Sequence, residues 1–237
     1  MTELALIPIA FFTSALAAVM GMGGGILLIA LMPGLIPAAA IIPVHGCTQL
    51  ASNLSRAAFG WKEIDFRIIL PFSVGAIAGA WLGGEIYAGL NLHWLPALIG
   101  FFVLVYTWVP LPGLPGGGPL TLSILGFYQT GLGMLAGATG PLGAAVLMRR
   151  NSGRDSLVVN TAVYMSVNHV ARVCAFVLMG FSLAPWWQLV TAMILAVIAG
   201  SWVGTRLRSG VPQVEFQRWF KWLVTVLAVR MIALPLL

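Results

Sequence analysis

Long apolar stretches separated by short polar ones run through almost the whole chain. Between Glu3 and Arg56 no residue carries a formal charge, and a helix needs only about 20 apolar residues to span a bilayer. The pattern predicts helices, because an open strand would leave its hydrogen bonds unmade in lipid. Pro43 and Pro185 mark two helix starts, since proline fits the first helical position. The eight apolar segments run over residues 4–42, 44–60, 68–88, 94–109, 121–148, 157–180, 186–205 and 216–236.

Glycines interrupt the first segment at Gly21–Gly25 and the fifth at Gly137–Pro141. They do not serve helix propensity, because each glycine costs about 1 kcal/mol relative to alanine. Unwound backbone is tolerated at membrane depth only where it is buried in protein or lines a water-filled cavity. Glycine-broken helices therefore point to the substrate site of a secondary transporter. The competing interpretation is close helix packing through small residues.

The second half of the chain repeats the first. Shifted by 116 residues, Gly21 falls on Gly137 and Arg56 falls on Arg172. Shifted by 121 residues, the stretch Gly79–Gly83 falls on a similar glycine-bounded stretch. We therefore predict one transmembrane domain, 1–237, composed of repeat one (4–109), a Pro/Gly linker (110–120) and repeat two (121–236).

The distribution of Lys and Arg indicates how the repeats are oriented. Ten of the twelve basic residues fall in three clusters, which the positive-inside rule places in the cytoplasm. Equivalent loops then lie on opposite sides, so the repeats are inverted. Inversion requires the broken segment to enter and leave on one side, as a re-entrant helix or a hairpin of two short spans. Eight plain helices in parallel repeats are the alternative. The clusters are Arg56, Lys62 and Arg67; Arg149, Arg150 and Arg154; and Arg206, Arg208, Arg218 and Lys221.

Composition narrows the functional class. The chain is 60% hydrophobic and only 8% charged, whereas soluble domains carry about 25% charged residues. This composition predicts a polytopic membrane protein. Together with the duplication and the distribution of Lys and Arg, it predicts an all-α fold of two inverted-topology repeats, each a glycine-broken (re-entrant or hairpin) helix plus three transmembrane helices. No soluble catalytic domain fits, and the net charge of +6 is too scattered for a nucleic-acid surface. We find no H-E-x-x-H or G-x-S-x-G motif and expect no enzyme activity, no cofactor and no metal site.

Polar residues on the second segment of each repeat complete a candidate anion site. A charge in hydrocarbon normally faces a cavity or a partner, and no acidic residue in its own segment neutralises Arg172. The free N–H groups of a restarting helix also favour anions. The alternative interpretation of the hydroxyl and amide residues is hydrogen bonding between helices. For His45 the alternative is a role in coupling proton movement to transport. The candidate substrate-binding residues are Gly21, Gly23, Gly24, Gly25, His45, Gln49, Ser52, Asn53, Arg56, Gly137, Thr139, Gly140, Tyr164, Asn168 and Arg172.

These residues resemble the TauE/SafE family of sulfite exporters. The resemblance rests on the G-x-G-G-G break at Gly21–Gly25, on Pro33, on the polar segment ending in Asn53 and Arg56, and on G-A-W-L-G at Gly79–Gly83. Through the duplication it covers nearly the whole chain. Membership implies a multi-pass carrier of the bacterial cell inner membrane that commonly exports sulfite, organosulfonates or related small anions. Repeat two departs from the pattern at Gly137–Pro141, where Thr139 adds a hydroxyl donor.

The combined hypothesis is a secondary transporter, and an exporter, of a small oxyanion such as sulfite or a short organosulfonate, working by alternating access. Two other classes remain open: an anion channel, and a non-transporting membrane scaffold subunit. The expected partners are the small anion and the lipid bilayer. The tryptophans permit a homodimer, and no nucleic acid is expected.

Overall fold

The computed structural model describes residues 2–21, 23–109, 117–140, 143, 146–147, 153–208 and 213–236, with the backbone alone for 213–218. Most of the predicted linker (110–116), Pro141 and the basic pair Arg149 and Arg150 lie outside these residues. In the described part the chain is all-α, with no strand. Nine α-helices can be bounded there: α1 Leu6–Met20, α2 Gly24–Leu31, α3 Ala38–Phe59, α4 Ile69–Ala88, α5 Leu95–Trp108, α6 Pro119–Ala136, α7 Arg154–Leu178, α8 Trp187–Leu207 and α9 Gln213–Ala233.

The described residues form a polytopic membrane protein. Five helices, with the short turns that precede or follow them, are long and apolar enough to cross a membrane. Helix α3 is as long as these, with 22 residues, but its polar stripe lowers its hydropathy. The five spans are Thr2–Met20, Phe66–Ala88, Arg154–Leu178, Ala184–Leu207 and Trp219–Leu236.

The first apolar segment is a hairpin of unequal arms. Helix α2 has eight residues, about 12 Å of helix, and is too short to span the bilayer. The chain turns at Gly21 and Gly23, whose φ angles of 83° and 96° lie in the left-handed region that favours glycine. Gly24 then packs against the Thr13 carbonyl and the Ala17 side chain, so α2 runs back along α1.

The fifth segment breaks in the same way. Helix α6 ends at Ala136, Gly137 has φ 74°, and the helix resumes at Gly140. The Thr139 hydroxyl donates to the Gln129 carbonyl at 3.0 Å, and the Gln129 amide donates to the Thr139 carbonyl at 2.9 Å. These two bonds fold the chain back along the helix it has just left.

The prediction that Pro43 marks a helix start is wrong. Helix α3 begins at Ala38, directly after Pro37, and Pro43 lies inside it. Proline is tolerated within membrane helices when neighbouring groups satisfy the freed carbonyl. Pro185 is closer to its predicted place, in the 3₁₀ turn Ala184–Trp186 that leads directly into α8.

Each broken segment packs on the other half of the chain. Helix α1 packs on α8 and α6 packs on α4, while α3 lies against α7 and α5 against α9. Gly79 and Gly83 of α4 meet the backbone of Phe127 and Gly131 in that order along α6, so α4 and α6 run in the same direction. Gly200 and Gly204 of α8 meet the carbonyls of Phe11 and Ala15 of α1 in the same manner. This exchange joins the two halves, whose repeat boundaries stay predictions.

The contacts sort the loops onto two faces. At one face, which we call the basic face, the ends of α1, α3 and α8 meet the start of α7. The contacts there are made by Arg154, Arg208 and the loop 60–65. The opposite face joins the turn 33–37 to the start of α5 and the end of the chain. Repeat one starts at the opposite face and repeat two at the basic face, the arrangement expected of inverted halves.

We predict that alanine in place of Gly79 or Gly200 destabilises the protein, because helices cross closely at both positions. A β-carbon at Gly79 would overlap the Phe127 carbonyl, and one at Gly200 would overlap the Phe11 carbonyl. Gly79→Ala and Gly200→Ala should therefore each cost about 1–3 kcal/mol, as overpacking does, measured as a lower melting temperature in detergent. Gly153→Ala is the matched control, because a β-carbon there meets nothing within 4 Å. Equal melting temperatures for Gly79→Ala and the control would contradict this packing.

Candidate functional site

The two breaks and the middle of α3 and α7 enclose a cavity of about 40 Å³. A single water needs about 10–15 Å³ of such space, so the cavity has room for roughly three water-sized groups. Its lining residues are Ala17, Gly21, Gly23, Gly25, Ile26, His45, Gln49, Asn53, Arg56, Gly137, Ala138, Gly140, Thr161, Met165 and His169.

The lining is built from equivalent positions of the two halves. Shifting the sequence by 116 residues turns His45 into Thr161, Gln49 into Met165 and Asn53 into His169. Gly21 and Gly137, which are also equivalent, both line the cavity. The positions correspond, but their chemistry differs: α3 contributes most of the polar groups, and α7 contributes one hydroxyl, one thioether and one imidazole.

Helix α2 begins at the cavity wall. Its first N–H groups have no partner within the helix, and its N-terminus carries partial positive charge. Gly25 and Ile26 of this first turn line the cavity. The His45 ring donates from Nε2 to the Gly25 carbonyl at 2.9 Å, which holds the turn against α3. The Gln49 side chain lies against Gly25, and its Nε2 is buried with no hydrogen-bond partner in the described part of the chain.

Arg56 holds the end of α1. It is 4% exposed, and its Nη1 donates to the Ala17 carbonyl at 3.2 Å, in the last turn of α1. Its Nη2 donates to Asn53 Oδ1 and its Nε to the Ser52 carbonyl. The C-terminal carbonyls of a helix lack partners and carry partial negative charge, so this guanidinium both caps and neutralises the helix end.

Arg172 does the same for α6. It is 1% exposed, and its Nη1 donates to the Gly137 carbonyl at 2.6 Å. The same nitrogen lies 3.4 Å from His169 Nδ1. No described residue makes a hydrogen bond to its Nε or Nη2. Arg172 lies behind Gly133 and Gly137, one layer from the cavity, whereas Arg56 lines it.

No carboxylate among the described residues pairs with Arg56 or Arg172; the ion pair found there joins Arg208 to Asp155. Two histidines, His45 and His169, also meet in this region, with ring centroids 5.9 Å apart. A buried charge without a counter-charge is costly. The site therefore has an excess of positive charge, which an anion can neutralise.

The family model described as Sulfite exporter TauE/SafE matches residues 6–231. The chain belongs to the TauE/SafE family. It is thus a multi-pass membrane protein of a transporter family of the sulfite and sulfonate type. No curated protein and no solved structure gives a significant match.

Several candidate residues of this TauE/SafE chain lie outside the cavity and connect helices. The Ser52 and Ser14 hydroxyls are 2.7 Å apart, and Ser14 also meets Ser201 at 2.8 Å. In the other half, Asn168 donates to the Thr130 hydroxyl at 3.1 Å, and Thr130 is the equivalent of Ser14. Gly24, Thr139 and Tyr164 also belong to this group. Gly24 packs on α1, the Thr139 hydroxyl donates to the Gln129 carbonyl, and the Tyr164 hydroxyl donates to the Gly140 carbonyl.

Three lining residues of the TauE/SafE cavity are absent from the sequence-derived candidates: Thr161, Met165 and His169. A polarity criterion cannot select Met165, and Thr161 and His169 are ordinary members of a polar segment. The signal that finds all three is the 116-residue shift applied to His45, Gln49 and Asn53. Equivalent positions of the two halves converge on the same cavity, even where the residue types differ.

We predict different stability effects for substitutions at Ser52 and Gln49, two polar residues of α3. Ser52→Ala removes a buried hydroxyl from the Ser14 contact and should lower the free energy of unfolding by about 1 kcal/mol. Gln49→Leu removes a buried, unpaired amide and should leave stability unchanged or raise it. Thermal unfolding of the anion-free protein checks both. A Gln49→Leu variant that melts well below Ser52→Ala would show that the Gln49 amide has a structural partner.

Proposed function

We propose that the chain is a secondary transporter, and an exporter, of a small oxyanion such as sulfite or a short organosulfonate. The observation that carries the proposal is a pair of buried arginines, Arg56 and Arg172, beside a cavity between two helix breaks, with no described carboxylate paired to either. Family membership supports the transporter class. A bacterial inner membrane is the location this family implies.

The anion would bind where the fold leaves donors unused. Such donors are the first N–H groups of α2 beside Gly25, and the Gln49 amide. Gly24, which precedes Gly25, corresponds to Gly140 in the second half. Gly140 lines the cavity from the other break. Arg56, which lines the cavity, would contribute a direct contact, and Arg172, which lies behind Gly133 and Gly137, would contribute mainly positive potential.

The size of the cavity favours a compact anion. Space for about three water-sized groups suits a sulfur atom with its oxygens. A two-carbon sulfonate would need additional room, which movement of a hairpin arm could provide. The apolar part of the wall, formed by Ala17, Ile26, Ala138 and Met165, would lie against the less hydrated side of such an anion.

Alternating access would follow from the arrangement of the arms. Each broken segment packs on the third long helix of the other half, α1 on α8 and α6 on α4. Movement of one pair against the α3–α7 centre would expose the cavity to one face while the other stays closed. Inverted repeats produce two such states with exchanged roles.

We predict that sulfite raises the melting temperature of the purified protein and that this rise requires Arg172. At a sulfite concentration about a hundredfold above Kd the stabilisation is about 2.7 kcal/mol. Arg172→Gln keeps a donor for the Gly137 carbonyl but loses the charge, so the rise should disappear. Arg67→Ala, which removes an exposed charge on the basic face, is the control and should respond like the wild type.

Different outcomes separate the three functional classes. An equal sulfite-induced rise in wild type and Arg172→Gln would remove Arg172 from the site. If no small oxyanion shifts the wild type, a scaffold subunit becomes the better explanation. Counterflow in proteoliposomes distinguishes a carrier from a channel, because only a carrier accumulates labelled anion in exchange for unlabelled anion.

A further inference from the structure

Three arginines converge on the last turn of α1. Three consecutive carbonyls there each accept a hydrogen bond from a different helix: Ala17 from Arg56 of α3, Ala18 from Arg208 of α8, and Val19 from Arg154 of α7. The corresponding distances are 3.2, 2.8 and 3.0 Å. The C-terminal carbonyls of a helix carry partial negative charge, so this end of α1 is held electrostatically from three directions.

Two of these arginines line a second cavity on the basic face. This vestibule, of about 370 Å³, is lined by Phe59, Gly60, Glu63, Arg154, Asp155, Val159, Thr205 and Arg208. Among the described residues, the last turn of α1 lies between this vestibule and the central cavity. Ala17 and Gly21 line the central cavity, while the Ala18 carbonyl between them holds Arg208. Gly21 also lies against Val158, the neighbour of Val159 in the vestibule wall.

The charge of Arg208 is neutralised by Asp155. Arg208 Nη1 and Asp155 Oδ1 are 2.8 Å apart, and the side chains are 8% and 70% exposed. An ion pair with an exposed carboxylate is worth about 1 kcal/mol or less and opens readily. Opening it without a substitute would leave a nearly buried guanidinium uncompensated, which is costly. An arriving anion can take the place of Asp155 at no such cost.

The equivalent end of α6 is built differently. The shift of 121 residues that relates α8 to α4 places Tyr87 at the position of Arg208, and the 116-residue shift places Ala38 at the position of Arg154. Tyr87 packs edge-on against Phe176, with ring centroids 4.9 Å apart. The two equivalent positions thus differ in chemistry: Arg208 forms an ion pair, whereas Tyr87 makes an aromatic contact.

We propose that the vestibule is the gate by which an anion reaches the central cavity from the basic face, with the Arg208–Asp155 pair as its latch. This inference rests on the proposed function. The anion enters the vestibule, replaces Asp155 on Arg208 and loosens the last turn of α1, which opens the wall between the two cavities. Arg208 and Arg154 act as positioning residues for α1, and Asp155 is a counter-ion that the anion displaces.

The latch can be tested by access to a single cysteine in the central cavity. Ala17→Cys, in a background in which Cys47 and Cys174 are replaced by alanine, places a thiol on the cavity wall. A membrane-impermeant, negatively charged thiosulfonate reagent is then added to the basic face in inside-out vesicles. Asp155→Asn should speed labelling about fivefold, the factor that corresponds to about 1 kcal/mol.

Two controls separate the latch from a general loosening. Asp155→Glu keeps the carboxylate and should label at the parent rate. Glu63→Gln removes another carboxylate of the same vestibule, one without an ion pair among the described residues, and should also label at the parent rate. Parent-rate labelling of Asp155→Asn, or equally fast labelling of Glu63→Gln, would overturn the latch.

A measurement on the unmutated latch covers the case in which Asp155→Asn fails to fold. Salt screens an ion pair with an exposed partner, so labelling of the parent cysteine protein should quicken as ionic strength rises with an inert salt. A rate independent of salt would count against the latch. A failure of the proposed function gives a different result, namely no sulfite-induced melting shift in the wild type whatever the labelling rates.

Discussion

The structure depends on the need to satisfy helix ends that lie inside the membrane. Each break exposes the last carbonyls of one helix and the first N–H groups of the next, and neither set can bond to lipid. At the carbonyl ends the chain provides arginines: Arg56 on Ala17 and Arg172 on Gly137. At the N–H end of α2 the fold provides a small cavity instead. In the function we propose, the arginines and the anion are two parts of one solution, because the cations that neutralise the carbonyl ends create the positive potential that an anion at the N–H ends would relieve.

This arrangement explains why polar residues on the same helix have different tasks. Successive positions of α3 face different neighbours: Ser52 meets α1 and α8 through Ser14 and Ser201, while Gln49 and Asn53 face the cavity. The hydroxyl contacts fix the position of the long helices, and Asn53 is bonded to Arg56 and to the Gln49 carbonyl. The Gln49 amide nitrogen has no hydrogen-bond partner among the described residues. In the function we propose, loss of a fixing contact would weaken the fold, whereas loss of the Gln49 amide would weaken binding, so stability and transport would depend on different residues of one stripe.

The sequence predicts much of the fold because the bilayer permits few solutions. The charge-free run from Glu3 to Arg56 requires helix, and the glycine clusters give the breaks. The start of α3 is not predictable from Pro43, since the surrounding helix tolerates a proline. Of the candidate site, the residues that line the cavity are Gly21, Gly23, Gly25, Gly137 and Gly140 of the breaks and His45, Gln49, Asn53 and Arg56 of α3. Tertiary direction decides the rest: a helix position predicts that Arg172 is buried, but not that Gly137 lies between it and the cavity. Met165 is found only by comparing the two halves.

Near-symmetric halves would by themselves give a path that is the same in both directions. The departures from symmetry are what can make it directional. The central cavity receives His45, Gln49 and Asn53 from one half but Thr161, Met165 and His169 from the other. At the basic face three arginines hold the end of α1, whereas at the other end Tyr87 stands where Arg208 would be. An ion pair can exchange a partner with an incoming anion and an aromatic contact cannot, so under the proposed gate the two ends would respond to different events. In the exporter we propose, an anion-sensitive gate at the basic face and an insensitive closure at the opposite face would supply the asymmetry that export requires.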